Sequence, residues 1–299
     1  MKIAAFNVKN FGWKKANNRF VRTQLIKIVS RYSLVVALEV MDKSGKAMNK
    51  FLTELNASRR NKKHPYAMES SEPLGRKSRK EKFVFFYRIN EVKAIKSYQW
   101  NEKSVDLLAR EPFVVRFTVK NLVLIPVHTT PGSAETELSA LDDVVKAAKK
   151  KCRTKNIMIL GDFNADGRYL PKKKKAKVSI YQPPYHWLID EDADTTSSNN
   201  NDHTYDRIVV YGDDMLDAVE PDSAQPFNFQ RAYRLSDDKT QKISDHYPVE
   251  VELTENKRQT NKPRGKPTKK KDPSVFSSVP QKLDNQPQWC FNQLIHETC

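Results

Sequence analysis

The sequence predicts an α/β fold made of two packed β-sheets with helices on their outer faces. Three observations lead there. Short segments rich in Val, Ile and Phe recur through most of the chain. Some alternate apolar with polar residues and others are apolar throughout, the two patterns of sheets covered on one face or on both. Two longer segments repeat their apolar residues at helical spacing instead.

In chain order, strands are expected at residues 3–8, 33–40, 83–88, 114–119, 122–128, 156–161, 207–211 and 248–253. The first helix is marked by Phe20, Leu25, Ile28 and Val29. The second is marked by Leu138, Leu141, Val144, Val145 and Ala148. It should start near Ser133, with Glu135 and Glu137 in its first turns, where carboxylates complement the positive end of a helix. No internal repeat of a solenoid or propeller period is apparent.

Composition narrows the class. A hydrophobic share of 38% supports a core. No apolar run is long enough for a membrane-spanning helix, so stable membrane insertion is not expected. Three cysteines, two of them in the last ten residues, make no disulfide framework. As given, the chain shows no signal peptide, although a processed secreted chain could begin the same way. Asn56-Ala57-Ser58 is a glycosylation sequon of a kind common by chance.

The chain carries 53 Lys and Arg against 36 Asp and Glu, a net +17. Such an excess points to a polyanionic partner, nucleic acid or an acidic membrane surface. Residues 254–299 are read as a disordered basic tail, because proline and like charges oppose packing there. Nine basic and four acidic residues give the tail +5 and leave +12 on a body at 1–253.

Polar residues follow apolar strands at five places: Asn7, Glu39, His128, Asp162 with Asn164, and Asp245 with His246. Asp206 opens a further strand. Strand ends at one edge of a sheet converge, and sites form there. Asn7, Glu39, Asp162, Asn164 and Asp245 are hard oxygen donors, suited to Mg²⁺ or Ca²⁺ rather than zinc. A divalent cation with histidines and carboxylates is equipment for phosphodiester hydrolysis. The positive charge favours nucleic acid as the substrate.

These residues carry a family resemblance. The chain resembles the deoxyribonuclease I family over roughly residues 1–253. The matching stretches include 2–8, Leu38-Glu39-Val40, Pro73-Leu74-Gly75-Arg76, Arg110-Glu111-Pro112, Pro126-Val127-His128, 161–165, 205–210, 226–230 and 244–251. The basic tail is similar to that of the gamma-type member. The resemblance implies a four-layered α/β/β/α sandwich of the endonuclease/exonuclease/phosphatase kind. It implies an endonuclease that cuts double-stranded DNA, leaves 5′-phosphate ends, uses Mg²⁺ and Ca²⁺ and acts as a monomer. It assigns Asn7, Glu39, Asp162, Asn164 and Asp245 to the metal and phosphate shell. It pairs His128 with Glu81 and His246 with Asp206. The second pair is taken to activate water and the first to protonate the leaving group, although either histidine could be the base. Arg110 is expected at a phosphate, with a salt bridge to Glu111 or another carboxylate as the plainer alternative. Asn164 is also expected at the DNA.

The resemblance breaks in places. Secreted members have a disulfide where this chain has Gly167 and His203, and a second pair of cysteines near 98–106 is also missing. The expectation is therefore a nuclear or a secreted protein, with the missing staple weighing against a purely extracellular one. Structural Ca²⁺ is only partly supported, by Asp194 with Thr195 and Thr196 at one site and Asp106 at another. The tyrosine and arginine that enter the minor groove in the pancreatic type are Arg79 and Met41 here. Arg76 and Arg79, in the loop Arg76-Lys77-Ser78-Arg79-Lys80, are expected at the DNA. The run Pro171-Lys172-Lys173-Lys174-Lys175-Ala176-Lys177-Val178 is read either as a nuclear-localisation signal or as a solvated loop by the DNA. The tail is expected to help reach DNA coated by protein, as in chromatin, or by lipid. Two rival functions stand beside the nuclease: a catalytically silent DNA-binding member of the fold, and a phosphodiesterase acting on lipid or inositol phosphates.

Overall fold

A computed structural model describes residues 1–254, apart from 77, 103, 104, 199 and 200. The described residues belong to one compact unit, Met1–Asn256. Residues 255–299 of the expected tail lie outside the described residues.

The strands are β1 (Lys2–Phe11), β2 (Leu34–Val40), β3 (Tyr66–Ser70), β4 (Lys82–Arg88), β5 (Ala94–Gln99), β6 (Phe113–Phe117), β7 (Val123–His128), β8 (Ile157–Asp162), β9 (Tyr185–Trp187), β10 (Asp206–Tyr211), β11 (Gln225–Pro226) and β12 (Val249–Glu252). The helices are α1 (Trp13–Asn17), α2 (Arg19–Val29), α3 (Lys46–Ala57), α4 (Ala134–Cys152), α5 (Lys172–Lys175), α6 (Asp213–Leu216), α7 (Phe229–Ala232) and α8 (Asp237–Ile243). Each expected strand and both expected helices are present.

Two six-stranded sheets form the body. Their orders are β11-β12-β1-β2-β4-β3 and β5-β6-β7-β8-β10-β9. Each has a parallel pair at its centre, β1 with β2 and β7 with β8, and antiparallel neighbours outside it. Alternation along the strands sorts side chains between layers. Ile3, Ala5, Leu34, Val36, Phe83, Phe85, Leu124 and Leu160 fill the space between the sheets. Ala4, Phe6, Val35, Ala37 and Phe86 face outward onto Val21, Leu25 and Ile28 of α2 and Met48, Phe51 and Leu55 of α3. Ile125, Val127 and Ile159 do the same against Leu138, Leu141, Val144 and Val145 of α4. These are the four layers implied by the sequence.

Two local features bear on the sequence reading. The lysine run is not a free basic segment. Its first three lysines are exposed, but Lys175 is buried and ion-paired to Glu191, and Val178 is fully buried. The sequon is also engaged, since Asn56 Nδ2 donates to Tyr66 O at 2.9 Å and Asn56 Oδ1 accepts from Tyr66 N at 2.8 Å.

Candidate active site

The expected polar residues meet at one edge of the sandwich. Parallel strands deliver their last residues there, and antiparallel partners deliver their first. Asn7 comes from β1, Glu39 from β2, His128 from the end of β7 and Asp162 from the end of β8. Glu81 immediately precedes β4, Asp206 opens β10, and Asp245 and His246 lie just before β12. Gly161 lets β7 and β8 close up at this edge. Its φ is +140°, and a Cβ there would lie 2.1 Å from Val127 O.

Two histidine–carboxylate pairs face each other. His128 Nδ1 is 2.6 Å from Glu81 Oε1, and His246 Nδ1 is 2.6 Å from Asp206 Oδ2. Nδ1 bound to a carboxylate leaves Nε2 as the working nitrogen. Both Nε2 atoms turn towards Asp162 Oδ2, at 3.7 Å and 3.8 Å. All five residues are buried or nearly so.

Burial works against charge on His246, but Asp206, Asp162 and Asp245 overcome it and raise its pKa to about 10. Burial pushes Asp206 up to about 6 despite the imidazole. We take the pair as Asp⁻/His⁺ at neutral pH. His128 is raised above its ordinary value, because Glu81 and Asp162 outweigh burial while Arg110 opposes them. Burial pushes Glu81 up, but the hydrogen bond and charge of His128, with Arg110, hold it below the ordinary carboxylate value.

The oxygen donors gather around Asp162. Asn7 Nδ2 donates to Asp162 Oδ2 at 3.0 Å and to Glu39 Oε1 at 3.3 Å. Its Oδ1 accepts from Lys9 N at 3.0 Å, so Asn7 sets the two carboxylates rather than adding an oxygen to them. Asn164 N donates to Asp162 Oδ1 at 3.0 Å, and Asn164 Nδ2 donates to Thr129 O at 3.0 Å. Glu39 and Asn164 have φ of +55° and +48°, uncommon for non-glycine residues. Asp245 stands at the rim. Its Oδ2 pairs with Lys9 Nζ at 2.8 Å, and its Oδ1 lies 4.0 Å from His246 Nε2.

The donor set fits a hard divalent cation: Glu39 and Asp162 share the Asn7 amide, with Asp245 nearby. Donor atoms of Asp162, Asp206 and His246 also lie within 4.8 Å of one another. Asp206, however, is fully buried and bonded to His246. The open carboxylate side is therefore that of Glu39 and Asp162.

The arginines line a cleft of about 470 Å³ with Glu39, Glu81 and His128. Arg110 pairs with Glu81, and its Nη1 donates to His128 O at 3.2 Å. Arg110 thus forms a salt bridge, with Glu81 rather than Glu111 as the partner. Arg79 reaches Asn10 Oδ1 and lies 3.4 Å from Glu39 Oε2. Arg76 Nε and Nη2 bond both carboxylate oxygens of Asp106, at 3.0 Å and 3.1 Å. Asp106, expected at a Ca²⁺ site, is paired here with Arg76. Asp194 Oδ1 accepts from Thr196 N at 2.9 Å and from Thr196 Oγ1 at 2.8 Å, in a loop beside His246.

Several supporting roles were not assigned from the sequence. Thr195 Oγ1 accepts from Asp206 N at 3.1 Å. Ser244 Oγ donates to Asn7 O at 2.6 Å and accepts from His246 N at 3.1 Å. Lys15 Nζ donates to Val8 O at 2.7 Å and to Ile243 O at 2.5 Å, tying the Asn7 strand to the segment before Asp245. Buried Glu137 accepts from Ala109 N at 3.2 Å and Thr130 N at 2.9 Å, which brackets Arg110 and His128. Of these, Thr195, Ser244 and Glu137 fall in stretches the sequence had marked.

Two six-stranded sheets with paired imidazoles and an oxygen-donor cluster at one edge define a metal-assisted phosphoesterase of the four-layer sandwich class. Comparison with known proteins narrows this. The Endonuclease/Exonuclease/phosphatase family matches residues 4–246. Deoxyribonuclease-1 of Oryctolagus cuniculus is 40% identical over 263 residues, covering 85% of this chain and 92% of the relative. Deoxyribonuclease-1 of Homo sapiens is 41% identical over the same length and shares. A crystal structure of D. rerio TDP2 complexed with single strand DNA product has a TM-score of 0.57 at 14% identity, covering 85% of this chain and 99% of that one, a likeness of fold. The chain belongs to the deoxyribonuclease I family. Among the described residues, no helix is long and apolar enough to cross a membrane.

Proposed function

We propose that the chain is a divalent-cation-dependent endodeoxyribonuclease that hydrolyses double-stranded DNA as a monomer and leaves 5′-phosphate ends. The observation that carries the mechanism is the opposed pair of dyads, His128–Glu81 and His246–Asp206, both aimed at Asp162. Glu39, Asp162 and Asp245 would hold Mg²⁺, with Asn7 and Asn164 orienting them. A bound Mg²⁺ neutralises phosphate charge and makes phosphorus a better electrophile. Asp194 with Thr196, and Asp106, are the candidates for structural Ca²⁺.

Hydrolysis adds a water oxygen to phosphorus and breaks the P–O3′ bond. One imidazole takes the water proton and the other gives a proton to O3′. Asp206 serves His246 alone, whereas Glu81 is shared between His128 and Arg110. His246 therefore holds its proton more firmly. This favours His246 as the acid and His128 as the base, the reverse of the direction taken from the sequence. Arg110, Arg76 and Arg79 supply the cationic wall of the cleft for the substrate phosphates. The tail, with nine basic and four acidic residues, is assigned to reaching DNA in chromatin rather than to chemistry.

The test is relaxation of supercoiled plasmid with Mg²⁺, with and without added Ca²⁺ or EDTA. Cleavage abolished by EDTA supports the reading. DNA retention without cleavage under all conditions would make the chain a binder. Turnover of inositol or lipid phosphates in place of DNA would move it to the third class.

A further inference from the structure

The large exposed hydrophobic side chains among the described residues include a single aromatic one, Trp13, at 55% exposure. Trp13 follows directly on the strand that carries Asn7 and Asn10. Asn10 N donates to Glu39 Oε2 at 3.0 Å, which puts Asn10 on the wall of the catalytic cleft. Two residues of near-extended chain, Phe11 and Gly12, lie between Asn10 and Trp13, a Cα span of about 10 Å. The intervening backbone is pinned. Phe11 pairs with Val40, Met41 N donates to Phe11 O at 2.9 Å, and a Cβ on Gly12 would come within 2.7 Å of Met41 O. Trp13 is thus held at the catalytic edge on a rigid support, next to Met41. Lys14, the next residue, and Lys43, two residues beyond Met41, are both exposed.

An exposed indole offers a large apolar face to a partner, and tryptophan is enriched where one binds. Its surroundings say what that partner is. The catalytic edge binds a polyanion, and an exposed lysine follows the indole directly. Resting on the reading of the chain as a DNA hydrolase, we propose that Trp13 packs on a deoxyribose of the bound duplex beside the catalytic cleft. Lys14 and Lys43 meet the flanking phosphates. The indole supplies apolar contact to the sugar and the lysines supply the charge, so the pair favours duplex DNA over free phosphate esters.

The experiment compares wild type with Trp13→Ala and Trp13→Phe. A short duplex is titrated in EDTA by fluorescence anisotropy, and kcat and KM are measured on the same duplex with Mg²⁺. Trp13→Ala should weaken binding and raise KM by about five- to thirtyfold. Its kcat should stay within about twofold of wild type. Trp13→Phe should recover most of the loss. Wild-type tryptophan fluorescence should change on adding duplex, and Trp13→Phe should show less of that change. Unchanged affinity and KM in Trp13→Ala would overturn the proposal, as would an equal fall in kcat. Loss of binding to phosphatidylserine vesicles with duplex affinity intact would also overturn it and assign the indole to a lipid surface. The EDTA titration reads the contact without turnover, so a chain that bound duplex through Trp13 but cut nothing would sink the hydrolase reading alone.

Discussion

Replacing Asp206 by Asn tests the heart of the site. Asp206 has no exposed surface, and its Oδ2 holds His246 Nδ1 at 2.6 Å. Asparagine keeps the shape and removes the charge. Either its amide oxygen still accepts from Nδ1 without supporting the imidazolium, or its NH₂ forces the wrong tautomer. Loss of such an orienting carboxylate costs about 10²–10⁴ in rate, or roughly 3–5 kcal/mol of barrier. Folding should not suffer in proportion. The substitution removes a desolvated carboxylate, and Thr195 Oγ1 still accepts the backbone N–H of residue 206. The assay is plasmid nicking with Mg²⁺ across pH, beside thermal melting. Without Asp206, the proton affinity of His246 falls from its raised value. If His246 is the acid, activity is lost as pH rises through its pKa, so the alkaline limb should move to lower pH. A shift of the acid limb instead would mark His246 as the base. A variant within about threefold of wild type, with neither limb moved, would refute the assigned role.

Three further outcomes are expected. Glu81→Gln should flatten the acid side of the stability curve: the folded-state pKa of Glu81 is depressed, so its contribution is present above about 4.5 and lost as pH falls through the folded value, and melting temperature against pH below 4.5 reads this directly. Gly161→Ala forces a Cβ to within 2.1 Å of Val127 O and should cost several kcal/mol by denaturant unfolding, at the large end of single substitutions. Lys15→Met removes the donor that links Val8 O to Ile243 O and should lower nicking more than it lowers stability, since a desolvated ammonium, with its pKa pushed down to about 8, leaves with it.

The sequence made the body of the fold legible because most strands lie in covered layers. Strands with one buried and one polar face left no such mark. β5 is largely exposed, β9 and β11 are very short, and β3 is buried fully only at Tyr66. The α3 helix does carry helical spacing in Met48, Phe51 and Leu55. It begins after a left-handed Gly45, with Asp42 Oδ2 capping Met48 N at 2.8 Å, an unusual entry. In the site, residue type and strand-end position named the dyads and the oxygen donors. They could not show which atom of Asn7 faces the carboxylates, nor that Arg76 reaches Asp106 from 30 residues away. Backbone-directed contacts such as those of Thr195 and Lys15 depend on chain crossings that no local pattern records.

The topology also explains why the site needs both sheets. Each catalytic pair joins a residue from one sheet to a residue from the other. Glu81 enters from the first sheet beside β4, and His128 ends β7 of the second. Asp206 opens β10 of the second sheet, and His246 lies just before β12 of the first. A shift of one sheet across the other would therefore part both dyads together, while leaving every hydrogen-bonded strand pair intact. The layer between the sheets, with Phe85 against Phe113 and Phe117 and with Leu160 and Val249 fully buried, prevents that shift. Close packing transmits displacement rather than absorbing it. The apolar layer is thus the frame that sets two 2.6 Å hydrogen bonds at the rim, and its side chains act on catalysis without touching DNA.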